Sequence, residues 1–446
     1  MTDHPSENHG SDAGNEQAAA AAPPAETGDT VAAGGSPEGP THRDEDHPGV
    51  LHQILSGNAL MSVLAFVLAL LIGGLLIAFA DEETRAASGY FFSRPGDMLS
   101  AGWTAMTEAY VAMFRGSVFN WQSDTFAGMI KPLTESMVFA VPLILAGLGI
   151  AVGFRAGLFN IGAQGQIIVG AIVAAWLGFA FDLPPFVHLL VAVLGGAIGG
   201  AVYGGIPGVL KARFGANEVI VTIMLNYVAV YLISFMLKQP TFNPGRTGQR
   251  SPAVSPDATY PLLIPEWLVP GNTFRLHWGF VVAVLAAWFV WWLLERSTIG
   301  FEIRAVGANP PASRTAGMSV GRTTIITMVV AGALAGLAAT AQVLGTERSL
   351  TAGVAASYGF DAITVALLGR SRPWGTFVAG LLFGALKAGG FLMQSQTQTP
   401  IDIVLVVQSL IVLFIAAPPL VRTIFRLPAP SASRPRTRRT PKEAAA

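Results

Sequence analysis

Ten stretches of this chain are long and apolar enough to demand a hydrocarbon environment: 58–80, 133–153, 161–181, 186–210, 219–237, 278–294, 323–344, 354–369, 374–393 and 401–417. A helix needs about 20 predominantly apolar residues to cross roughly 30 Å of bilayer core. Ten such segments in one chain leave little room for any other architecture. The 446 residues are 52% hydrophobic and only 12% charged, about half the charged share of a soluble domain, which is about 25%. The weakest segment is 354–369, short and carrying Asp361, while 278–294 is brief but holds Trp288, Trp291 and Trp292, suited to an interfacial belt. The expectation is an all-α integral membrane protein with about ten transmembrane helices.

Residues 1–57 differ in kind. They are acidic and rich in Ala, Gly and Pro, too poor in large apolar groups to offset the entropy of ordering, and they lack the basic start and apolar core of a signal peptide. They read as a disordered tail, and 426–446 as a second, basic one. The membrane domain is then 58–425.

Lys and Arg in short loops set orientation. With the N-terminus inside, the internal cytoplasmic loops hold nine basic residues in 47, from Arg155 to Arg372, against nine in 112 on the opposite face, mostly in two long connections. The basic C-terminal tail falls inside on the same count, so ten spans with both termini cytoplasmic is the self-consistent arrangement.

Several functions are disfavoured. A formal net charge of zero gives no reason to expect a nucleic-acid partner. No Cys is present, so thiolate chemistry and disulfides are excluded, and the seven His show no zinc-ligand spacing. No nucleophile–base arrangement or metal cluster points to an enzyme. The phosphate-cradling pattern G-x-x-x-x-G-K-[ST] is absent, so any ATP hydrolysis belongs to another chain. Small-residue ridges such as "LGGAIGGAVYGGIPG" read as helix-packing surfaces.

The polar insert 295–322 stands out between two apolar segments. Asn309 can cap a helix with its side-chain oxygen, Pro310 and Pro311 suit its first turn, and Gly317 is the expected left-handed terminator. The resulting helix of about seven residues is marginal alone in water, and its Ser313, Arg314 and Thr315 do not form a membrane-seeking face. Either a cytoplasmic partner holds it or it is a solvated loop with a helical turn.

Polar groups inside spans are functional candidates by default. "GLFNIGAQGQ" sets Asn160, Gln164 and Gln166 beside Phe159 among several glycines, as in a broken helix lining a cavity, although the same amides could simply bond between helices. Asn226, with Tyr227 next to it, lies deep enough to face a pore, while Glu218 near the end of the same span suits a cap or a pair. Asp361 and Lys387 can pair and hold two spans together. A short echo between "AGLFNIGAQG" and "YGFDAITVAL" hints at an inverted repeat without establishing one.

"RAVGANPPASRTAGMSV" resembles the cytoplasmic coupling loop of ABC importer permeases of the branched-chain amino acid, ribose and nucleoside type. "GLFNIGAQGQIIVGA", "GANEVIVTIMLNYVA", "GFDAITVALLGRSRPWG" and "LFGALKAGGFLMQ" follow the same family in the same order, closest to its nucleoside (simple-sugar) branch. The long acidic N-terminal tail departs from that pattern. The resemblance implies a type II-like permease whose coupling helix, with Gly307, Asn309, Pro310, Ser313, Arg314 and Gly317, docks on a separate ATPase that binds ATP-Mg. This chain itself would bind no cofactor or metal. The other implied partners are a second permease subunit, the same or different, and an extracytoplasmic substrate-binding protein, in the plasma membrane. The substrate would be a nucleoside, with a simple sugar such as ribose as the alternative and a branched-chain amino acid a weaker one. Phe159, Asn160, Gln164, Gln166, Asn226 and Tyr227 would supply amides and aromatic surface along its pathway. An ion-coupled secondary transporter is the rival from another class, and it would need more acids or His at mid-membrane.

Overall fold

A computed structural model of the chain describes residues 58–245, 248–265, 269, 273–400 and 402–426. The expectations for 1–57, and for the basic tail beyond Arg426, lie outside them. Among the described residues the chain is helical and no β-strand forms. Eight helices are long and apolar enough to cross a membrane. They are α1 (Asn58–Ala80), α4 (Phe126–Arg155), α5 (Ala163–Ala180), α6 (Pro185–Phe214), α7 (Glu218–Met236), α8 (Gly279–Arg296), α11 (Val320–Thr340) and α13 (Pro373–Thr397), with α2 (Glu82–Ser88), α3 (Pro95–Ser117), α9 (Thr298–Ala308) and α10 (Pro310–Thr315) between them. Two shorter apolar helices, α12 (Tyr358–Leu368) and α14 (Asp402–Ala416), account for the other two apolar segments, and α15 (Pro418–Ile424) follows.

Helix α4 is the central post, with 83% of its most apolar window buried. Its inner half supplies Leu143, Ile144, Leu145, Leu148 and Ile150 to the core, all essentially inaccessible. Helices α6 and α11 meet backbone to backbone: a β-carbon at Gly200 would stand 2.3 Å from the Gly332 carbonyl oxygen, and one at Gly336 2.2 Å from that of Gly196. Lipid tails supply no hydrophobic drive between helices, so such close approach and its dispersion contacts hold the pair. The glycine ridge thus does the packing expected of it. Beyond Thr340 the helix widens into a π turn over Ala341–Thr346.

One end of the bundle collects the close of α4, the start of α5, α9 and α10, and the start of α13, where Arg155 donates to the Ser371 carbonyl at 3.0 Å. This is the α10 end. The far end is covered by the segment after α7. There Ser251, Val254 and Tyr260 donate backbone bonds to Leu350, Arg348 and Leu344, and Ser255 donates to Gly178 at the end of α5. Under this cover the rings of Tyr260 and His277 stack at 5.5 Å.

The connection 81–132, read from the sequence as one long loop, is largely helical. Helix α3 mixes Asp97, Glu108 and Arg115 with small residues, so it shows no continuous apolar run. It nevertheless packs among the spans. Gly102 meets Ala78 and Gly74 meets Met106, so α3 runs antiparallel to α1. Gly116 lies against Leu392 and Gly389, and Arg115 reaches Gln396 at 3.3 Å, so α3 closes beside the far end of α13.

Candidate functional site

The α10 end is built from two sequence motifs that meet in space. Asn309 is extended, and its Oδ1 accepts from the Ala312 N–H at 3.1 Å, which caps α10. Pro310 and Pro311 open the helix, the Ser313 hydroxyl donates to the Asn309 carbonyl at 3.0 Å, and Gly317 takes the left-handed φ of 83° that ends the turn. Ser313 is buried against this turn, whereas Pro310 and Arg314 face outward. Just before it, Gly307 rests on the turn that joins α4 to α5. A β-carbon there would stand 2.1 Å from the Arg155 carbonyl oxygen, and Gly157 answers it from below with φ 70°. The outward helix is therefore mounted on the end of the central post.

From that turn the chain enters α5, and here the amides gather. Asn160 and Gln166 exchange two side-chain hydrogen bonds at 3.1 Å, and Asn160 also accepts from the Gly162 N–H. Asn226 of α7 accepts from the Gly165 N–H at 2.8 Å and donates to the Ile161 carbonyl at 2.9 Å. Gln164 bridges to the far side of the break, donating to the Ala356 carbonyl and accepting from the Gly359 N–H. All four amides are buried, between 1% and 8% exposed. An uncoiled backbone at membrane depth must find protein partners, and these side chains are those partners. Phe159 and Tyr227, by contrast, are 58% and 60% exposed on the outside of the subunit. Nearby, Glu218 pairs with Lys211 at the foot of α7.

The helix that opens beside Gln164 carries the charges. Lys387 of α13 meets Asp361 at 2.7 Å and lies 4.5 Å above the Tyr358 ring, while Ser357 donates to the same carboxylate at 2.7 Å. This ion pair links the start of α12 to α13. Ser357, Tyr358 and Arg155 were not singled out from the sequence, because nothing in their local spacing reveals their partners. Among the described residues no cluster of His, Cys, Asp or Glu suits a metal ion.

A charged pair near the far face completes the set. Glu135 receives Arg275 through two guanidinium nitrogens, and that bond holds the Arg275 pKa above its ordinary value.

A bundle of apolar helices with a buried polar break, a buried Asp361–Lys387 ion pair and a short helix turned outward is the architecture of a multi-pass membrane protein. Residues 133–416 match the model of a family described as branched-chain amino acid transport system / permease component, and the chain belongs to that family. It is 39% identical over 322 residues to a guanosine ABC transporter permease protein of Bacillus subtilis, covering 72% of this chain and 88% of that one. It is 38% identical to a glucose ABC transporter permease protein of Haloferax volcanii, covering 64% and 75% of the two chains. A nucleoside ABC transporter permease protein of Lactococcus lactis is 36% identical, with 65% and 80% covered. No solved structure matches the chain.

Proposed function

We propose that this protein is the permease subunit of an ATP-driven importer of nucleosides. The reading is carried by the 39% identity to a guanosine permease across 88% of that protein, and the identity to a nucleoside permease supports it. The runner-up is a simple sugar, favoured by the 38% identity to a glucose permease. Uptake of labelled guanosine and labelled glucose, each competed by the other, decides between them in a strain lacking the chromosomal copy. Guanosine uptake lost on deletion and restored by this gene is expected. Restoration of glucose uptake alone would overturn the nucleoside assignment.

In this reading a separate ATPase subunit binds ATP-Mg and takes α10 into a surface groove, so the coupling end faces the cytoplasm. Closure of the ATPases presses on Gly307 and thereby on the α4–α5 turn. A substrate-binding protein delivers to the far end, and substrate passes along a face that includes Phe159 and Tyr227. Asn160, Gln164, Gln166 and Asn226 act there by holding the broken backbone in shape. The carrier chain performs no chemistry of its own. Accumulation driven by a sodium or proton gradient without any ATPase would refute this.

The helix pairing supports a reading of the orientation. The chain beyond α14 ends on the cytoplasmic side, in keeping with the basic residues there. For the start of α1 the reading departs from the expectation of a cytoplasmic N-terminus. Helix α3 ends beside the far end of α13 and is antiparallel to α1, so α1 begins at the far, extracytoplasmic face. The absence of Cys makes the check direct. A membrane-impermeant maleimide should leave Ser93→Cys unlabelled in intact cells and label Ser255→Cys.

A further inference from the structure

We propose that a cleft at the far end of the bundle, between the start of α4 and the end of α13, binds the cargo on this chain and prefers a purine nucleoside with a carbonyl on its base edge. The inference rests on the nucleoside reading for the class of cargo, and on geometry for the site and the preference. The cleft measures about 570 Å³, inside the range of about 300–1,000 Å³ usual for small-molecule sites. Its apolar wall includes Phe139 and Phe391, whose rings stack at 5.4 Å and 28°. Phe391 is still 52% exposed, so a face of that ring is open to a planar partner. The polar lining offers more donors than acceptors. Arg275 Nε donates to Glu135 at 3.1 Å and Nη2 donates to the other carboxylate oxygen, which fixes the plane of the guanidinium. Its Nη1 has no hydrogen bond among the described residues. Lys131 gives one N–H to the Thr273 hydroxyl at 2.8 Å and has others to give.

Such a lining suits a flat ring with acceptors on its edge. A guanidinium or an ammonium pairs well with the carbonyl oxygen and neighbouring ring nitrogen of guanine, whereas adenine places an amino donor where that oxygen stands. A hexose would meet the donors without the base stack. The cleft also stands over the rest of the candidate pathway. On α13, Phe391 is one turn beyond Lys387, the cation of the buried ion pair, and on the same side of the helix. On α4, Phe139 and Phe154 are fifteen residues apart, which sets them about 60° apart around the helix. The Phe154 ring meets Phe159 at 5.3 Å. The two aromatic pairs thus mark the far end and the α10 end of one side of the central helix. Helix α12 packs on α4 between them, where a β-carbon at Gly147 would meet Val365 at 3.1 Å.

The test uses the full-length chain with its partner subunits in nanodiscs, and tritiated guanosine as the probe. No delivering protein is added, so any selectivity belongs to the membrane complex. Inosine should displace guanosine at similar concentration, and adenosine only at about tenfold higher concentration, the discrimination of one good edge pair. Phe391→Leu should weaken binding about tenfold, the share of one base–aromatic stack, while Phe391→Tyr keeps it. Arg275→Lys retains a cation for Glu135 but loses the flat fork, and should shrink the preference for guanosine over adenosine. A photoreactive azidoguanosine should label the peptides that hold residues 131–139 or Phe391. No saturable guanosine binding, equal displacement by adenosine, unchanged binding in Phe391→Leu, or labelling confined to other peptides overturns the proposal. Uptake by intact cells separates the levels. Guanosine uptake that persists beside those results refutes the cleft alone, whereas glucose uptake without guanosine uptake refutes the nucleoside reading together with it.

Discussion

Gly307 lies flat on the closing turn of α4, so close that a β-carbon would stand 2.1 Å from the Arg155 carbonyl oxygen and 2.9 Å from the Ala156 Cα. Backbone cannot yield as a flexible side chain can. Gly307→Val should lift the docking segment off the central helix while the spans still insert. Uptake should fall by about tenfold or more, within the usual range of coupling between sites, with near-normal amounts of protein in the membrane. Unchanged uptake would show that force does not pass through this contact.

Helix α10 depends on its two ends. Removing the Asn309 cap costs about 1 kcal/mol, and a side chain at the left-handed Gly317 costs about 1–2 kcal/mol. In a helix of six residues, Pro310–Thr315, neither loss is absorbed elsewhere. An Asn309→Leu, Gly317→Val double variant should insert normally but lose permease-stimulated ATP hydrolysis in reconstituted vesicles.

Asn160 and Gln166 satisfy each other, so deleting one strands the other. Asn160→Ala should lower stability by about 1–3 kcal/mol, the cost of an unsatisfied buried group, read as a drop in melting temperature in detergent. Replacing both residues by Leu should cost less than the sum of the single changes. A change in transport KM with no change in stability would instead indicate direct contact with substrate.

Lys387 and Asp361 are largely buried at membrane depth, 13% and 17% exposed. Removing one partner leaves an uncompensated charge, at a cost of about 3–5 kcal/mol. Lys387→Met and Asp361→Asn should each depress yield and thermal stability, and their combination should recover most of both. A double variant as unstable as either single would mean that the charges do more than hold α12 to α13.

His277 gives a pH dependence. Burial, reinforced by the charges of Arg348 and Arg275, lowers its pKa from 6.5 to about 4. The fold thus holds the neutral ring, with Nδ1 accepting from the Gly279 N–H at 3.1 Å. Unfolded chain takes up a proton below about 6.5, whereas folded chain resists until about 4. Stability from this group is therefore full above pH 7 and falls through that window, by on the order of 3 kcal/mol in all. Melting temperatures measured from pH 7.5 to 4.5 should show this slope, and His277→Phe should flatten it.

The spans were readable because lipid imposes one simple demand, a long apolar run, and Asn309, Pro310 and Gly317 were readable because capping is local. Helix α3 escaped because Asp97, Glu108 and Arg115 interrupt its apolar residues, and its place against α1 and α13 is settled by long-range packing. The amides show a second kind of limit. Their presence at a helix break follows from residue type, but that Asn160 turns to Gln166, and Asn226 to Ile161 and Gly165, is settled by long-range packing. The partnership of Gln164 with the start of α12, 195 residues away in the chain, has no local signature at all.

The glycine contact between α6 and α11 has a mechanical outcome. Their backbones touch directly at Gly200, Gly332 and Gly336, so a displacement of α11 is felt at once by α6. Since α11 begins a few residues after α10, a push on α10, under the proposed coupling role, would reach α6 through these backbone contacts.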